Sequence, residues 1–361
     1  EVDASKLYVN VKDFGAIGNG SANDSTAIQN AINSITTGTV FLPSGSYKIN
    51  TGVILKTGVA LIAETGKQTE LIAGSDNIDM LSYTNTSSAI TTGFSISGFK
   101  MSSGGKSGVG GIKIFGKDNV VRVSNIRLND THFIGLKYGI SLYLTANSFI
   151  SGIFSSNCTD GIIINRCADT SLVNCKVQNG SGIGYQVLGD GGVTGGGGSA
   201  SDEGTEIVNC TTNGQKKGIL IDGADWGQVT NCSFTTAHDG AVIATGNSTN
   251  WKFTSCHITS NQYLLEPIKA GADLSSEAKW FSFSNCFFAL SLFGLVSRGN
   301  YLVVNGCTFN ANDNVDIYLG GTNNAISGNL IVNGSVPNSI VETTSANRSN
   351  VTGNVCNKGI A

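Results

Sequence analysis

Hydrophobic positions along this chain alternate with polar ones in short runs, and the runs recur. One motif is an apolar residue, a polar one, then Asn, Gly or Ser, then Cys or an apolar residue. It reads Ile96-Ser97-Gly98-Phe99, Val123-Ser124-Asn125-Ile126 and Ile150-Ser151-Gly152-Ile153, and continues as Leu172-Val173-Asn174-Cys175, Ile207-Val208-Asn209-Cys210 and Val229-Thr230-Asn231-Cys232. Further copies end at Cys256, Cys286, Cys307, Asn329 and Asn354. A second motif, Gly-apolar-x-apolar, lies between the copies, as in Gly111-Ile112-Lys113-Ile114, Gly139-Ile140-Ser141-Leu142 and Gly218-Ile219-Leu220-Ile221. Period-2 alternation in short runs separated by turn residues marks strands. Strands repeating every 21 to 35 residues mark a solenoid. The expected fold is therefore all-β, a parallel β-helix of about 11 to 13 coils stacked at the interstrand spacing of about 4.8 Å.

The first 50 residues follow another pattern. Val9 to Phe14 reads as a strand and Gly15 to Asn23 as a loop. Asp24-Ser25 reads as a cap for a helix from Thr26 to Ser34, with Ile28, Ala31, Ile32 and Ile35 on one face. A helix there would cover the open end of a solenoid, which otherwise exposes core and unpaired backbone. Two regions follow: residues 1–50 as strand and capping helix, and 51–361 as one continuous β-helix.

Composition sharpens this reading. The 361 residues include 48 Gly, only 13% are charged, and the net charge is −3. With 22 Lys and Arg and no basic stripe, a nucleic-acid partner is not expected. No apolar run approaches the roughly 18 residues of a membrane span, so no membrane insertion is expected. The chain begins Glu1-Val2-Asp3 without Met, which reads as a processed form or a fragment. Of nine Cys, six fall in one repeat position, from Cys175 to Cys307. That pattern predicts an interior ladder of reduced thiols rather than a metal or disulfide frame. No cofactor or metal is expected. The neighbouring Asn column fits stacked turns with left-handed backbone. Reduced thiols suit assembly in a cytoplasm, as for virion proteins, better than oxidative secretion.

The run Val11-Lys12-Asp13-Phe14-Gly15-Ala16-Ile17-Gly18-Asn19-Gly20, then Asp24-Ser25-Thr26-Ala27-Ile28-Gln29, then Gly38-Thr39-Val40-Phe41-Leu42-Pro43-Ser44-Gly45-Ser46-Tyr47, resembles the opening signature of pectate-lyase-like right-handed β-helix proteins. That superfamily includes bacteriophage tailspike depolymerases, polysaccharide lyases, glycan epimerases and glycoside hydrolases. The resemblance implies the right-handed β-helix fold, a polysaccharide substrate, a homotrimer, and a place in a virion tail or outside the cell. The signature carries no catalytic residue. The Asp-Pro-His-Glu motif of alginate epimerases and the clustered Asp ligands plus Arg of calcium-dependent pectate lyases are both missing.

Repeat offsets then place the candidate chemistry. Trp226, Trp280 and Tyr301 lie six residues before the Cys-column position, with Trp251 one residue closer. They read as a vertical aromatic strip for sugar stacking, or, for Trp251, as an inward core residue. Glu203, Glu206, Asp222 and Asp225 crowd beside it, and Glu203 and Asp225 share one offset in adjacent coils. One coil step is close to the roughly 5–5.5 Å between the two acids of a retaining glycosidase. A second cluster places Lys217 and Asp239 just before the Gly of the second motif, with Glu266 in the same column and Lys216, His238 and Asp160 nearby. It reads as an ion ladder or as the base and acid of a β-elimination. The leading expectation is a tailspike-type depolymerase hydrolysing a bacterial surface polysaccharide, with Glu203, Asp225, Glu206, Asp222 and Asp239 catalytic. Trp226, Trp251, Trp280, Tyr301, Lys217 and His238 would bind substrate. The alternatives are a lyase or epimerase on a uronic-acid polymer, and a non-catalytic glycan-binding or structural β-helix.

Overall fold

The computed structural model describes residues 8–64, 69–190, 204–260, 270–332, 338–343, 348–356 and 359–360. The described chain is almost entirely parallel β-structure with one α-helix, and it forms two compact units, Glu1–Lys176 and Val177–Ala361.

In the first unit the chain visits three parallel sheets in turn. One circuit runs through Ser95–Ser97 in the first sheet, Lys100–Ser102 in the second and Gly110–Phe115 in the third. The next circuit pairs in register with it: Ile96 with Leu128, Met101 with Phe133, and Ile112 with Ile140. Alternation turns Ile112, Ile140 and Ile162 inward as one column, and none is more than 1% exposed. Each such burial is worth roughly 1.5–3 kcal/mol. The recurrent Gly of the second motif has a packing cause. A methyl on Gly111 would lie 2.7 Å from the Phe133 ring and one on Gly139 would lie 3.0 Å from it. The missing side chain is the space the core aromatic fills.

The N-terminal segment departs from the sequence reading in detail. The strand is only Tyr8–Asn10, and Val11–Phe14 is a 3-10 turn closed by Gly15 at φ +89°. The expected loop contains a strand, Asn19–Asn23. Helix α1 (Ser25–Asn33) buries Ala27, Ile28, Ala31 and Ile32 as its periodicity requires. Asp24, however, makes no side-chain cap. Its carboxylate, 1% exposed, accepts from Ile17 N at 2.6 Å and Gly18 N at 3.1 Å, pinning the preceding loop.

The second unit is built in the same way. Val229, Phe253, Phe283 and Val304 stack inward in register, with the Phe253 and Phe283 rings 4.9 Å apart. The expected thiol ladder is present. Each thiol is free, and Cys175 to Cys307 are buried. Cys232 Sγ donates to the carbonyls of Thr230 and Ile207, and Cys256 Sγ to those of Thr254 and Val229. Past Cys307 the same position is taken by Asn329, whose Oδ1 accepts from Cys307 N at 2.8 Å, and then by Asn354. The turn column is left-handed throughout, from Asn174, Asn209, Asn231 and Ser255 to Asn285 and Gly306. One copy of the motif was misplaced by the sequence. The register partner of Ile96 is Leu128, so the turn in that coil is Asp130 at φ +47°, and Val123–Ile126 forms an earlier corner.

Candidate functional site

The third sheet of the first unit carries a constellation that the offsets passed over. Asp79, Gly110 and Tyr138 are register partners in three successive coils, and Asp160 follows in the fourth. Gly110 is the key to the group. A methyl there would lie 2.4 Å from Asp79 Oδ1 and 2.5 Å from the Tyr138 hydroxyl. Because that methyl is missing, Tyr138 reaches across the intervening coil and its hydroxyl donates to Asp79 Oδ1. Lys113, three residues further along the Gly110 strand, closes on the other carboxylate oxygen, with Nζ 3.1 Å from Oδ2. Its register neighbours Ser82 and Ser141 are small, which leaves the ammonium half-exposed. Beside it stand Phe115 and Tyr143, centroids 5.1 Å apart, and Lys113 Nζ lies 4.9 Å from the Phe115 centroid.

The electrostatics follow from this packing. Tyr138 is 8% exposed. Burial first, then the hydrogen bond to Asp79 and the charge on that carboxylate, raises its pKa well above the ordinary phenol value. At neutral pH Tyr138 keeps its proton, and its hydroxyl is a hydrogen-bond donor held on Asp79. Lys113 is a cation beside a half-buried aromatic wall. Such a surface can pair with a sugar carboxylate, stack a pyranose ring and donate a proton.

The residues expected from sequence are distributed differently. Glu203 and Glu266 lie outside the described residues. Asp225 Oδ1 accepts from Trp226 N at 3.0 Å, from Asn250 Nδ2 at 3.0 Å and from the Thr249 hydroxyl, so that oxygen ties two adjacent coils together. Asp222 Oδ1 accepts from Thr245 Oγ1 at 2.9 Å. Glu206 is exposed on the first sheet, in register with Gln228. Asp239 pairs with Lys216 at 3.5 Å, while Lys217 is in register with Gly240. The column assumed for Lys217 and Asp239 was therefore one residue out of step. The recurrent interior Gly aligns Gly218 with Ala241, and a methyl on Gly218 would lie 2.4 Å from the Ala241 carbonyl oxygen. His238 is exposed, and its backbone N–H donates to Gln215 O.

The aromatic strip needs one correction. Trp226, Trp280 and Tyr301 are 57%, 50% and 42% exposed, but Trp251 is fully buried. Its Nε1 donates to Ala224 O at 3.1 Å. A methyl on Gly227 would lie 2.3 Å from the Trp251 ring, so the indole fills the space that Gly227 leaves. Asn250 occupies the strip position in that coil, at φ +60° between Trp226 at +57° and Trp280 at +55°.

A legible signal did point to Tyr138. Gly110, Tyr138 and Asp160 each stand immediately before the Gly of the second motif, the offset that drew attention to Lys217 and Asp239 further along. The doublet Gly110-Gly111 is its distinctive mark.

Stacked three-strand coils of parallel sheet, with a buried phenol, a carboxylate and an ammonium meeting beside aromatic rings, define a right-handed parallel β-helix with a carbohydrate-active fold. Residues 8–93 match the family model described as rhamnogalacturonase A/epimerase, pectate lyase-like, and residues 110–288 match that of the right handed beta helix region. The chain belongs to the pectate-lyase-like right-handed β-helix proteins. It is 43% identical over 79 residues, 19% of its length, to mannuronan C5-epimerase AlgE3 of Azotobacter vinelandii. The chain spans only 4–14% of the length of the curated relatives it matches. Its fold is similar to the A-module of the A. vinelandii epimerase AlgE4, with TM-score 0.79 and 17% identity over 96% of this chain and 100% of that one. It is also similar to tailspike protein 3 of bacteriophage CBA120, with TM-score 0.63 and 14% identity over 96% of this chain and 60% of that one. Among the described residues no helix is long and apolar enough to cross a membrane, and no three His, Cys, Asp or Glu side chains group to hold a metal.

Proposed function

We propose that this chain acts on a uronic-acid-containing polysaccharide by moving the proton α to the sugar carboxylate, as an epimerase or a lyase. The observation that carries this reading is the Asp79–Lys113–Tyr138 cluster opened by Gly110. A uronate carboxylate paired with Lys113 loses part of its negative charge, which lowers the barrier to removing the C5 proton. Asp160, half-buried in the coil after Tyr138, is the carboxylate we assign to take that proton. The electron pair then rests on the carboxylate as an enolate held by Lys113. Tyr138 gives its hydroxyl proton either to C5 from the opposite face, inverting the centre, or to the departing glycosidic oxygen, leaving an unsaturated end. Asp79 orients the phenol. Phe115 and Tyr143 provide the face on which the ring rests.

The partial match to mannuronan C5-epimerases makes polymannuronate the first substrate to test. Incubation should give new C5-inverted residues by proton NMR, or ultraviolet absorbance from unsaturated ends, without an equivalent release of saturated reducing ends. Hydrolysis by a tailspike-type site near Trp226 is the second reading, favoured by Asp222 and Asp225 beside an exposed indole. Reducing ends without unsaturation would select it and reject the first.

A further inference from the structure

The corner that precedes the first sheet is left-handed in every described coil from Asn125 onward. In the first unit it is occupied by Asn125, Asn147 and Asp169, residues that adopt this backbone readily. In the second unit the same corner carries Gly204 at φ +76° and then Trp226, Asn250, Trp280, Tyr301, Asn323 and Arg348 at φ between +55° and +62°. Bulky aromatics at positive φ are rare, and here Trp226, Trp280 and Tyr301 are 42–57% exposed, so burial does not offset the backbone strain. Trp280 and Tyr301, one coil apart, stack face to face at 5.3 Å and 15°. Trp226 and Trp280 stand two coils apart, about 9.6 Å by the strand spacing, with only Asn250 between them. That interval is one ring short of a continuous stack.

We propose that the interval over Asn250 is a carbohydrate-binding slot that takes one pyranosyl residue between Trp226 and Trp280. The floor of the slot decides the ligand class. Asn250 Nδ2 is held down by Asp225 Oδ1 at 3.0 Å and Thr249 Oγ1 at 3.1 Å. With Nδ2 engaged in this way, Oδ1 is the amide atom left to accept from a ligand, beside the Asp225 carboxylate. A floor of acceptors between two apolar faces matches a ring with C–H faces and hydroxyl donors at its rim. It does not match an aliphatic side chain, which would leave the acceptors unpaired. Gln228, Lys252 and Ser282, which line the adjacent outward row, add hydrogen-bonding groups along the same path. The slot lies wholly within the second unit and stands independently of the uronate site around Tyr138.

The test titrates the full chain with oligosaccharides of mannuronate, mannose and galactose and follows tryptophan fluorescence, with buried Trp251 as an internal reference. At least one should bind and alter the fluorescence. Trp226→Asn and Trp280→Asn place an αL-favouring residue in each corner, so folding is preserved, and each should weaken binding by about tenfold or more. Asn250→Trp, which fills the interval, should do the same. Tyr138→Phe should leave this binding unchanged, so failure of the uronate chemistry and failure of the slot read out separately. The proposal is overturned if none of the three sugars binds or if binding survives both Asn variants. It is also overturned if these variants abolish a concentration-dependent dimer in sedimentation and leave sugar binding unchanged, which would assign the strip to a second copy of the chain.

Discussion

Replacing Trp251 by Ala should damage the second unit more than any change to the exposed aromatics. The indole is fully buried, its Nε1 is bonded to Ala224 O, and its ring fills the position vacated by Gly227. A tryptophan buries roughly 150–250 Å², which at about 25 cal/mol/Å² gives about 4–6 kcal/mol as an upper range. Measured truncations of buried Phe and Trp cost about 3–5 kcal/mol. We take about 4 kcal/mol. In a solenoid each coil contacts only its neighbours, so the loss should register locally. Hydrogen exchange followed by mass spectrometry is the suitable assay. Slow amides in Asp225–Thr230 and Thr249–Thr254 should lose protection by about a thousandfold. Trp226→Asn, one coil away, should change protection by no more than about threefold, because the lost aromatic contact is offset by relief of backbone strain. A Trp251→Ala effect below about 1 kcal/mol, or a larger effect from Trp226→Asn, would refute the assignment of Trp251 to the core.

Two further outcomes follow from the first unit. Gly110→Ala should part the Asp79–Tyr138 pair and abolish turnover on polymannuronate, and, because its methyl also meets the buried Tyr138 ring, it should cost about 1–3 kcal/mol. Lost turnover in a chain that still unfolds cooperatively, at a lowered thermal midpoint, is the expected pair of results. Tyr47 is buried with its hydroxyl donating to Pro43 O at 2.9 Å, and burial, then the charges of Asp24 and Glu64, pushes its pKa up to about 12. The neutral form is favoured in the folded state, so its contribution is full below the unfolded value near 10 and is lost as pH rises toward about 12. Tyr47→Phe should flatten alkaline unfolding of the first unit across that window in a pH-jump circular dichroism series.

Much of the fold was legible because a solenoid writes its geometry into the repeat. Cys175 to Cys307 and Asn174 to Asn285 were placed correctly, since inward and turn positions each tolerate few residue types. The errors have physical causes. Val123–Ile126 imitates the turn motif because left-handed Asn or Gly recurs at more than one kind of corner among the described coils, so one corner can read like another. Trp251 was drawn into the strip although its one-residue offset also allowed an inward side chain, and the partnering of Gly227 with Trp251 decides for the core. The Asp79–Tyr138 contact spans two coils across a glycine, and no single repeat contains it. The sequence search for acids at adjacent offsets could not see a pair whose link is an absent side chain.

The most direct measurement compares wild type and Tyr138→Phe on polymannuronate in D2O. The wild type should either introduce solvent deuterium at C5 of the sugar, as an epimerase, or leave an unsaturated end with no hydrogen at C5, as a lyase; both are seen as loss of the C5 proton signal in NMR. Tyr138→Phe keeps the ring and the fold but has no proton to give, and should bind the polymer with little change while product formation falls by at least about a hundredfold. Loss of the C5 proton signal together with inverted or unsaturated product from wild type, and loss of that product in Tyr138→Phe, is the result expected. Equal product formation by both proteins, or saturated reducing ends with no exchange at C5, would contradict the account.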